Sequence, residues 1–375
     1  MDLPTTYARH IEILGSSMSS KASITVVVPT YNTQRFLDQA LTSAQQNSSS
    51  NLEILVINDG STDGSLSIMR QHARLDDRVR VIDKPNEGYG ATVNLGIEEA
   101  HGDYVAILEP DDYVVAGAYD WLCEAAAHYG MPEVLKTSYW RVMSHNGADA
   151  SVSHGYLSGR IASVGKRICL AEEPQLIQYH PSVWAGIYSR EFLLRENIRM
   201  LEVPGAGWVD NPFCVETLVA AKSIVFLDEA FYCYREDLAS GSSASASAQL
   251  MIDRWNDRQN VLDTRGVLDS GIRQANAVVA TRFLGQMISN GALDNPTIRC
   301  NVAAMLRRID RGTLESITCV SPSIVSTALE LAGYCEYSAP RKTAYAVHLI
   351  NEAEWALRAN GPSFLLHNLS LAAKR

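Results

Sequence analysis

Leu108-Glu109-Pro110-Asp111-Asp112-Tyr113 is the stretch on which the reading of the fold turns. Before it, Asp103 to Leu108 is an apolar, partly β-branched run that reads as a buried strand. After it, Tyr113 to Tyr129 is rich in alanine and free of proline, which predicts a helix. Glu109, Asp111 and Asp112 therefore share the tight turn at the carboxyl end of a strand, the edge where open α/β sheets bind ligands. Carboxylates this close raise one another's pKa unless a cation joins them. Oxygen ligands so spaced suit Mg²⁺ or Mn²⁺, and an ion held there also holds phosphate oxygens. The plainer reading is a solvated acidic turn that caps the next helix.

Upstream, Ile24 to Val28 is almost purely β-branched and reads as a strand stopped by Pro29, with Thr30 to Thr33 as a polar turn. Phe36, Leu37, Ala40, Leu41 and Ala44 then keep helical spacing. Leu52–Ile57 reads as a second strand and Asn58–Ser65 as a second polar turn. A helix over Leu66–Ala73, a strand at Val79–Ile82 and a helix ending near Ala100 complete the pattern. Strands alternating with helices at this pace indicate βαβ units around a largely parallel sheet. Gly88 and Gly90 do not form a dinucleotide loop, because Val93 stands at the third glycine position.

Downstream, Val134–Val142 and Ser182–Tyr188 are strand-like, and Arg190–Glu196 is a short helix. Pro212 is expected to open a helix running to Ala221. Ile224–Leu227 and Phe231–Tyr234 read as two short strands, and Leu250 to Arg375 as mostly helical. Residues 1–22 read as a flexible leader, and the Ala/Ser/Gly-rich stretch Leu238–Gln249 as a mobile loop.

The 375 residues are enough for two domains, and 46% hydrophobic with 20% charged residues is ordinary for a globular fold. A net charge of -10 argues against a nucleic-acid partner. Seven cysteines without a C-x-x-C pair fit a reducing compartment. With no secretory signal pattern and no run near the ~20 apolar residues of a membrane span, a cytoplasmic protein is expected.

Asp59, at the end of the second strand, has the chemistry to accept the imide hydrogen of a uracil ring, and Asn32 with the backbone around Thr30 to hold base or ribose. Asn-Asp-Gly and Thr-Asp-Gly are also ordinary turn sequences. Four motifs in order then carry a resemblance: Val26-Val27-Val28-Pro29-Thr30-Tyr31-Asn32; Val56 to Ser65 with its Asn58-Asp59-Gly60; Asn86-Glu87-Gly88 ahead of Val93-Asn94-Leu95-Gly96-Ile97; and Glu109-Pro110-Asp111-Asp112. Together they resemble the family 2 glycosyltransferases of GT-A fold. Looser matches at Trp184, Arg190, Trp208–Phe213, Tyr232–Arg235 and Ser242-Ser243 extend the resemblance to roughly residues 24–243.

The resemblance implies an α/β fold, a Rossmann-like nucleotide-binding domain with a mostly parallel sheet flanked by helices. Its expected span is 23–245, as a nucleotide half (23–115) and an acceptor half (116–245), followed by a helical C-terminal region (246–375). Asp59 would recognise the base of a nucleotide-sugar donor. Pro29, Tyr31, Asn32, Asn86 and Gly88 would line the nucleotide, and Glu109 would sit near the ribose. Asp111, with Asp112 beside it, would hold Mn²⁺ or Mg²⁺ between the two phosphates. Asp210 matches the general base on the acceptor hydroxyl, although Asp just before a helix-opening Pro212 is also a good cap. Trp184 and Trp208 are candidates to contact an acceptor, and Arg235 and Ser242 to contact phosphate.

Glu109 stands where the family more often has Asp. The Q-x-x-R-W motif of processive synthases is absent, since Gln249 and Arg254-Trp255 are too far apart. The implied activity is metal-dependent transfer of a single sugar, with inversion, to a glycan or lipid-linked acceptor in cell-surface polysaccharide assembly. The alternatives are a nucleotidyltransferase and a catalytically idle scaffold that keeps the fold. The tail segment with Arg307, Arg308 and Arg311 reads first as a solvated helix face. Second, it reads as a surface for peripheral contact at the inner face of a membrane, or for a second subunit through the C-terminal helices.

Overall fold

The structure, a computed structural model, describes residues 22–48, 51–145, 148–236, 247–335 and 342–373. Residues 1–21 of the expected leader, and Ser242 with most of the expected mobile loop, lie outside the described residues.

Four parallel strands form one side of a ten-stranded sheet in the order β3-β2-β1-β4. They are β1 (Ile24–Thr30), β2 (Leu52–Asp59), β3 (Val79–Lys84) and β4 (Tyr104–Ile107). Every residue of β1 is buried, as its unbroken β-branched run requires of a strand covered on both faces. Helices α1 (Gln34–Gln45), α2 (Ser65–Leu75) and α3 (Tyr89–Glu99) link these strands. Leu37, Ala40, Leu41 and Ala44 of α1 are fully buried, the stripe that helical spacing predicts. On α3, Gly96 lies so close to Val27 that a Cβ there would come within 2.3 Å of its side chain.

Beyond β4 the order continues β9-β6-β10-β5. These are β5 (Tyr113–Val114), β6 (Val134–His145), β9 (Gly186–Ser189) and β10 (Ile224–Arg235), with β7 (Ala148–His154) and β8 (Arg167–Ile168) on the flanks of β6 and β10. β9 is antiparallel to both β4 and β6. Helices α4 (Ala118–His128), α5 (Arg190–Arg195) and α6 (Asp210–Ala220) belong to this part.

The remaining helices are α7 (Ala248–Thr264), α8 (Ser270–Ser289), α9 (Pro296–Leu306), α10 (Arg311–Ser316), α11 (Pro322–Ala332) and α12 (Lys342–Ala373, broken at Gly361). The first five surround a second hydrophobic core of Trp255, Leu284, Met287, Leu306 and Leu329. Among the described residues, no helix is long and apolar enough to cross a membrane. Two arginines of the tail segment are engaged within the helical region: Arg308 pairs with Asp263 of α7 at 3.0 Å and Arg311 with Glu315 at 2.8 Å.

Four boundaries differ from the expectation. Pro29 does not stop β1, which runs on to Thr30. The last β4 bond is Leu108 N–H to the Val27 carbonyl, so the nitrogen of Pro29 faces a side from which β4 has ended. Tyr113–Val114 is not helical: it pairs antiparallel with Tyr232–Cys233, and α4 begins only after Gly117 in left-handed backbone. The two short strands expected over 224–234 are one strand with register shifts at Leu227/Ala230 and Ala230/Tyr232. Finally, α6 starts at Asp210, two residues before Pro212.

Candidate active site

The loops at the carboxyl ends of β1, β2 and β4 surround a cavity of about 580 Å³. It is lined by Pro29, Tyr31, Asp59, Asn86, Gly88, Glu109, Asp111, Asp112, Trp184, Trp208, Asp210 and Arg235, all singled out from sequence. Asn32 is the exception among the described candidates. Its backbone is left-handed (φ 52°), and its Oδ1 accepts from the Thr62 amide at 2.8 Å, which ties the first polar turn to the second.

Asp59 is 3% exposed. Its carboxylate accepts from Lys84 Nζ at 2.5 Å, the Glu87 amide at 2.9 Å and the Gly88 amide at 3.0 Å. Asn86 Nδ2 donates to the Asp59 carbonyl at 2.9 Å. The loop 85–88 thus closes around Asp59, and Gly88 allows it: its φ is 96°, and a Cβ there would stand 2.6 Å from the Val203 carbonyl oxygen. Lys84 was missed from sequence. Its signal is its register, directly opposite Asp59 in the parallel pair β2–β3.

On the acidic turn the carboxylates differ sharply. Asp112 is buried, with one oxygen accepting from the Tyr232 hydroxyl (2.9 Å) and the other from the Arg235 amide (2.7 Å). Glu109 accepts from the Tyr89 hydroxyl at 2.5 Å. Burial pushes its carboxyl up to about 8 against that hydrogen bond, with Asp111 and Asp210 adding to the rise. Asp111 is raised chiefly by burial and lies at the cavity wall. Arg235 contributes its guanidinium to the main-chain oxygen of Asp111 and lies over the Tyr113 ring at 4.8 Å.

Asp210 is the first residue of α6, one position inside the helix from Val209 at its N-cap, and its carboxylate faces the amides of Asp210 and Asn211. Its Oδ1 accepts from Asn211 Nδ2 at 3.3 Å, and burial raises its pKa above the usual carboxylate value. The preceding Trp208 holds a left-handed φ of 55°, costly for a bulky aromatic, and leans on Phe283 of α8 at 5.9 Å. Trp184 is 4% exposed and stacks on Tyr232 (4.3 Å) and Tyr234 (5.0 Å), so it forms a wall of the cleft more than a free platform.

His180 also lines the cavity and was given no role from sequence. Burial, helped by the Lys136 and Arg141 charges, lowers its pKa to about 4, so it is neutral near pH 7. Its Nδ1 accepts from the Ser182 amide at 3.0 Å, which puts the ring proton on Nε2. Fully buried Lys136 holds that turn through the Pro181 and Ser182 carbonyls at 3.0 and 2.7 Å. Ser242 lies outside the described residues.

No three His, Cys, Asp or Glu side chains converge as a metal cage among the described residues. The donor set still fits a divalent ion that keeps most of its ligands from water and phosphate. Burial raises Glu109, Asp111, Asp112 and Asp210, and neighbouring carboxylates add to the rise at Glu109 and Asp112, a repulsion that an added cation relieves.

Residues 25–130 match the family described as Glycosyl transferase family 2. The chain is 29% identical over 223 residues to the uncharacterized glycosyltransferase EpsJ of Bacillus subtilis, covering 57% of this chain and 61% of EpsJ. It is 35% identical over 248 residues to the glycosyltransferase GlyA of Streptococcus pneumoniae, covering 65% of this chain and 35% of GlyA. The chain thus spans under two thirds of either relative's length. Among solved structures, S. aureus TarS 1-349 in complex with UDP superimposes with a TM-score of 0.63 at 16% identity, over 88% of this chain and 92% of that one. At that identity the likeness concerns the fold, a GT-A-like sheet with helices after it. The matched residues supply the cleft from Pro29 to Asp112, whereas His180, Trp184, Trp208, Asp210, Tyr234 and Arg235 come from chain beyond them.

Proposed function

We propose that the chain is a metal-dependent, inverting glycosyltransferase that moves one sugar from a nucleotide-sugar donor, a UDP-sugar first among candidates, to a hydroxyl of a glycan or lipid-linked acceptor. The observation that carries this reading is the convergence in one cleft of Asp59, Asp111 and Asp210, from three separate parts of the chain. Cell-surface polysaccharide assembly, on the cytoplasmic side, is the setting proposed. In this reading Asp59 and the 85–88 loop bind the base, Tyr31 and Pro29 flank the nucleotide, and Glu109 faces the ribose.

Asp111 is the residue that would hold Mn²⁺ or Mg²⁺, with Asp112 behind it fixing Arg235 and the turn. When bound, the ion stabilises the negative charge that grows on the leaving diphosphate. Asp210 takes the proton of the acceptor hydroxyl as its oxygen attacks the anomeric carbon. The bond from that carbon to the phosphate oxygen breaks, its electron pair leaving with the nucleotide, and configuration inverts.

Thermal unfolding with UDP, GDP or CDP, each with and without Mn²⁺, tests the donor site. A ligand at ~100 times its dissociation constant stabilises by about 2.7 kcal/mol. The expected result is a metal-dependent shift with one nucleotide, UDP first, that Asp111→Ala abolishes. Absence of any shift would transfer the weight to the scaffold reading.

A further inference from the structure

Arg258 is a buried charge that the mechanism above does not use. It lies on α7 in the helical region and is 1% exposed. Its guanidinium donates to Asn276 Oδ1 at 2.9 Å, the Ile177 carbonyl at 2.6 Å and Asn211 Oδ1 at 3.4 Å. All three acceptors are neutral. Burial lowers its pKa to about 10, which leaves it charged near pH 7. A buried cation held by neutral oxygens is costly, so packing alone is a poor reason for it.

The chemistry of the contact fixes a direction. Arginine only donates, so Asn211 can meet Arg258 only through Oδ1. That turns Nδ2 of Asn211 to the other side, where it donates to Asp210 Oδ1 at 3.3 Å. The opposite amide orientation would place a carbonyl oxygen against the Asp210 carboxylate. Arg258 is itself anchored, because Asn276 is fully buried, donates to Gln259 Oε1 at 3.0 Å and accepts from the Trp255 indole at 2.9 Å.

We propose that Arg258 and Asn211 form a relay by which the helical region orients the Asp210 carboxylate. The relay rests on the reading of Asp210 as the base. Both residues are positioning residues. Asn211 Nδ2 engages Oδ1 of Asp210, and in the proposal Oδ2 is the oxygen that meets the acceptor. The two relay contacts are long, 3.4 and 3.3 Å, and they act on direction more than on binding strength.

The test measures nucleotide release from UDP-glucose, UDP-galactose and UDP-N-acetylglucosamine by the full chain, with UDP affinity measured alongside. Asn211→Ala is expected to lower kcat about 10-fold and to leave the UDP Kd within about twofold, as loss of one hydrogen bond implies. Arg258→Met should do the same, and the double variant should be no slower than Asn211→Ala alone, because both act through one contact. Should Arg258→Met fail to fold, Asn211→Ala decides by its kcat against its UDP Kd. Losses that multiply in the double variant, or kcat and UDP affinity falling together, would show a merely structural role and overturn the proposal. The relay alone fails if Asp210→Asn is inactive while Asn211→Ala matches wild type. An active Asp210→Asn, or a wild-type chain that releases no nucleotide, overturns the underlying reading and the relay with it.

Discussion

On one wall of the cleft, Asp59, Glu109 and Asp111 sit at or just past the ends of strands in a parallel sheet, and local turns position them. On the other, Asp210 follows a loop with a left-handed Trp208 and is approached, through Asn211, by an arginine 47 residues further along the chain. The first wall is organised by the backbone ladder, so each side chain's place follows from where its strand stops. The second is organised by packing between a sheet domain and a helical region, so no short stretch of sequence states it. The difference teaches that the helical region belongs to the architecture of the cleft, since Phe283 and Arg258 contact Trp208 and Asn211 on either side of Asp210.

The largest expected effect tests the chemistry of the second wall. Asp210→Asn removes the base and keeps the shape; turnover should fall on the order of 10²–10⁴-fold. Because Asn accepts hydrogen bonds from first-turn amides about as well as Asp, thermal stability and UDP affinity should stay near wild type. Undiminished turnover in that variant would erase the assignment and, with it, the functional contrast between the walls.

A middle-sized effect tests the seam between them. In Gly88→Ala the new Cβ meets the Val203 carbonyl, in a backbone conformation that alanine resists. A loss of about 1–3 kcal/mol in urea unfolding is expected, together with weakened UDP binding, because Gly88 also donates to Asp59. Stability loss with unchanged UDP affinity would place the 85–88 loop outside the donor site.

The smallest effect belongs to the first wall's scaffold, well away from the cleft. Asp76 pairs with Arg78, whose guanidinium also holds the carbonyls of Gln45 and Asn47 at the end of α1. The Arg78 hydrogen bond lowers the Asp76 carboxyl from 3.8 to about 2. A depressed carboxyl stabilises the fold above its unfolded pKa, and that stability disappears as pH falls through the folded value. Asp76→Asn should therefore cost about 1–2 kcal/mol near pH 7 and almost nothing near pH 2. An equal cost at both values would show that the pair acts by packing and not by charge.

Legibility from sequence followed the same division. Turns after β1, β2, β3 and β4 could be read because strand ends carry their residues to one sheet edge, and Asp59, Asn86, Gly88, Glu109 and Asp111 all line the cavity. The helix expected from Tyr113 failed because pairing with Tyr232–Cys233 outweighed local helix preference. The choice between cap and cleft residue at Asp210 was open in the sequence, since Asp before Pro212 suits both. In the structure α6 begins at Asp210 itself, and the residue lines the cavity. His180 and Lys84 gave no local signal, because one sits beside a turn whose Pro181 carbonyl is held by a buried lysine 45 residues before it, and the other is placed by strand register.

By itself, then, the sequence determined the alternation of strands and helices, the parallel sheet and the acidic turn at its edge. Those features depend on periodicity and turn chemistry, which act over a few residues. Only the tertiary structure decided which carboxylates face the cavity, which are used up within the fold, and that an arginine of the helical region stands behind Asp210. Burial and the direction of a buried hydrogen bond depend on every element packed around a residue, and no local stretch of chain contains that information.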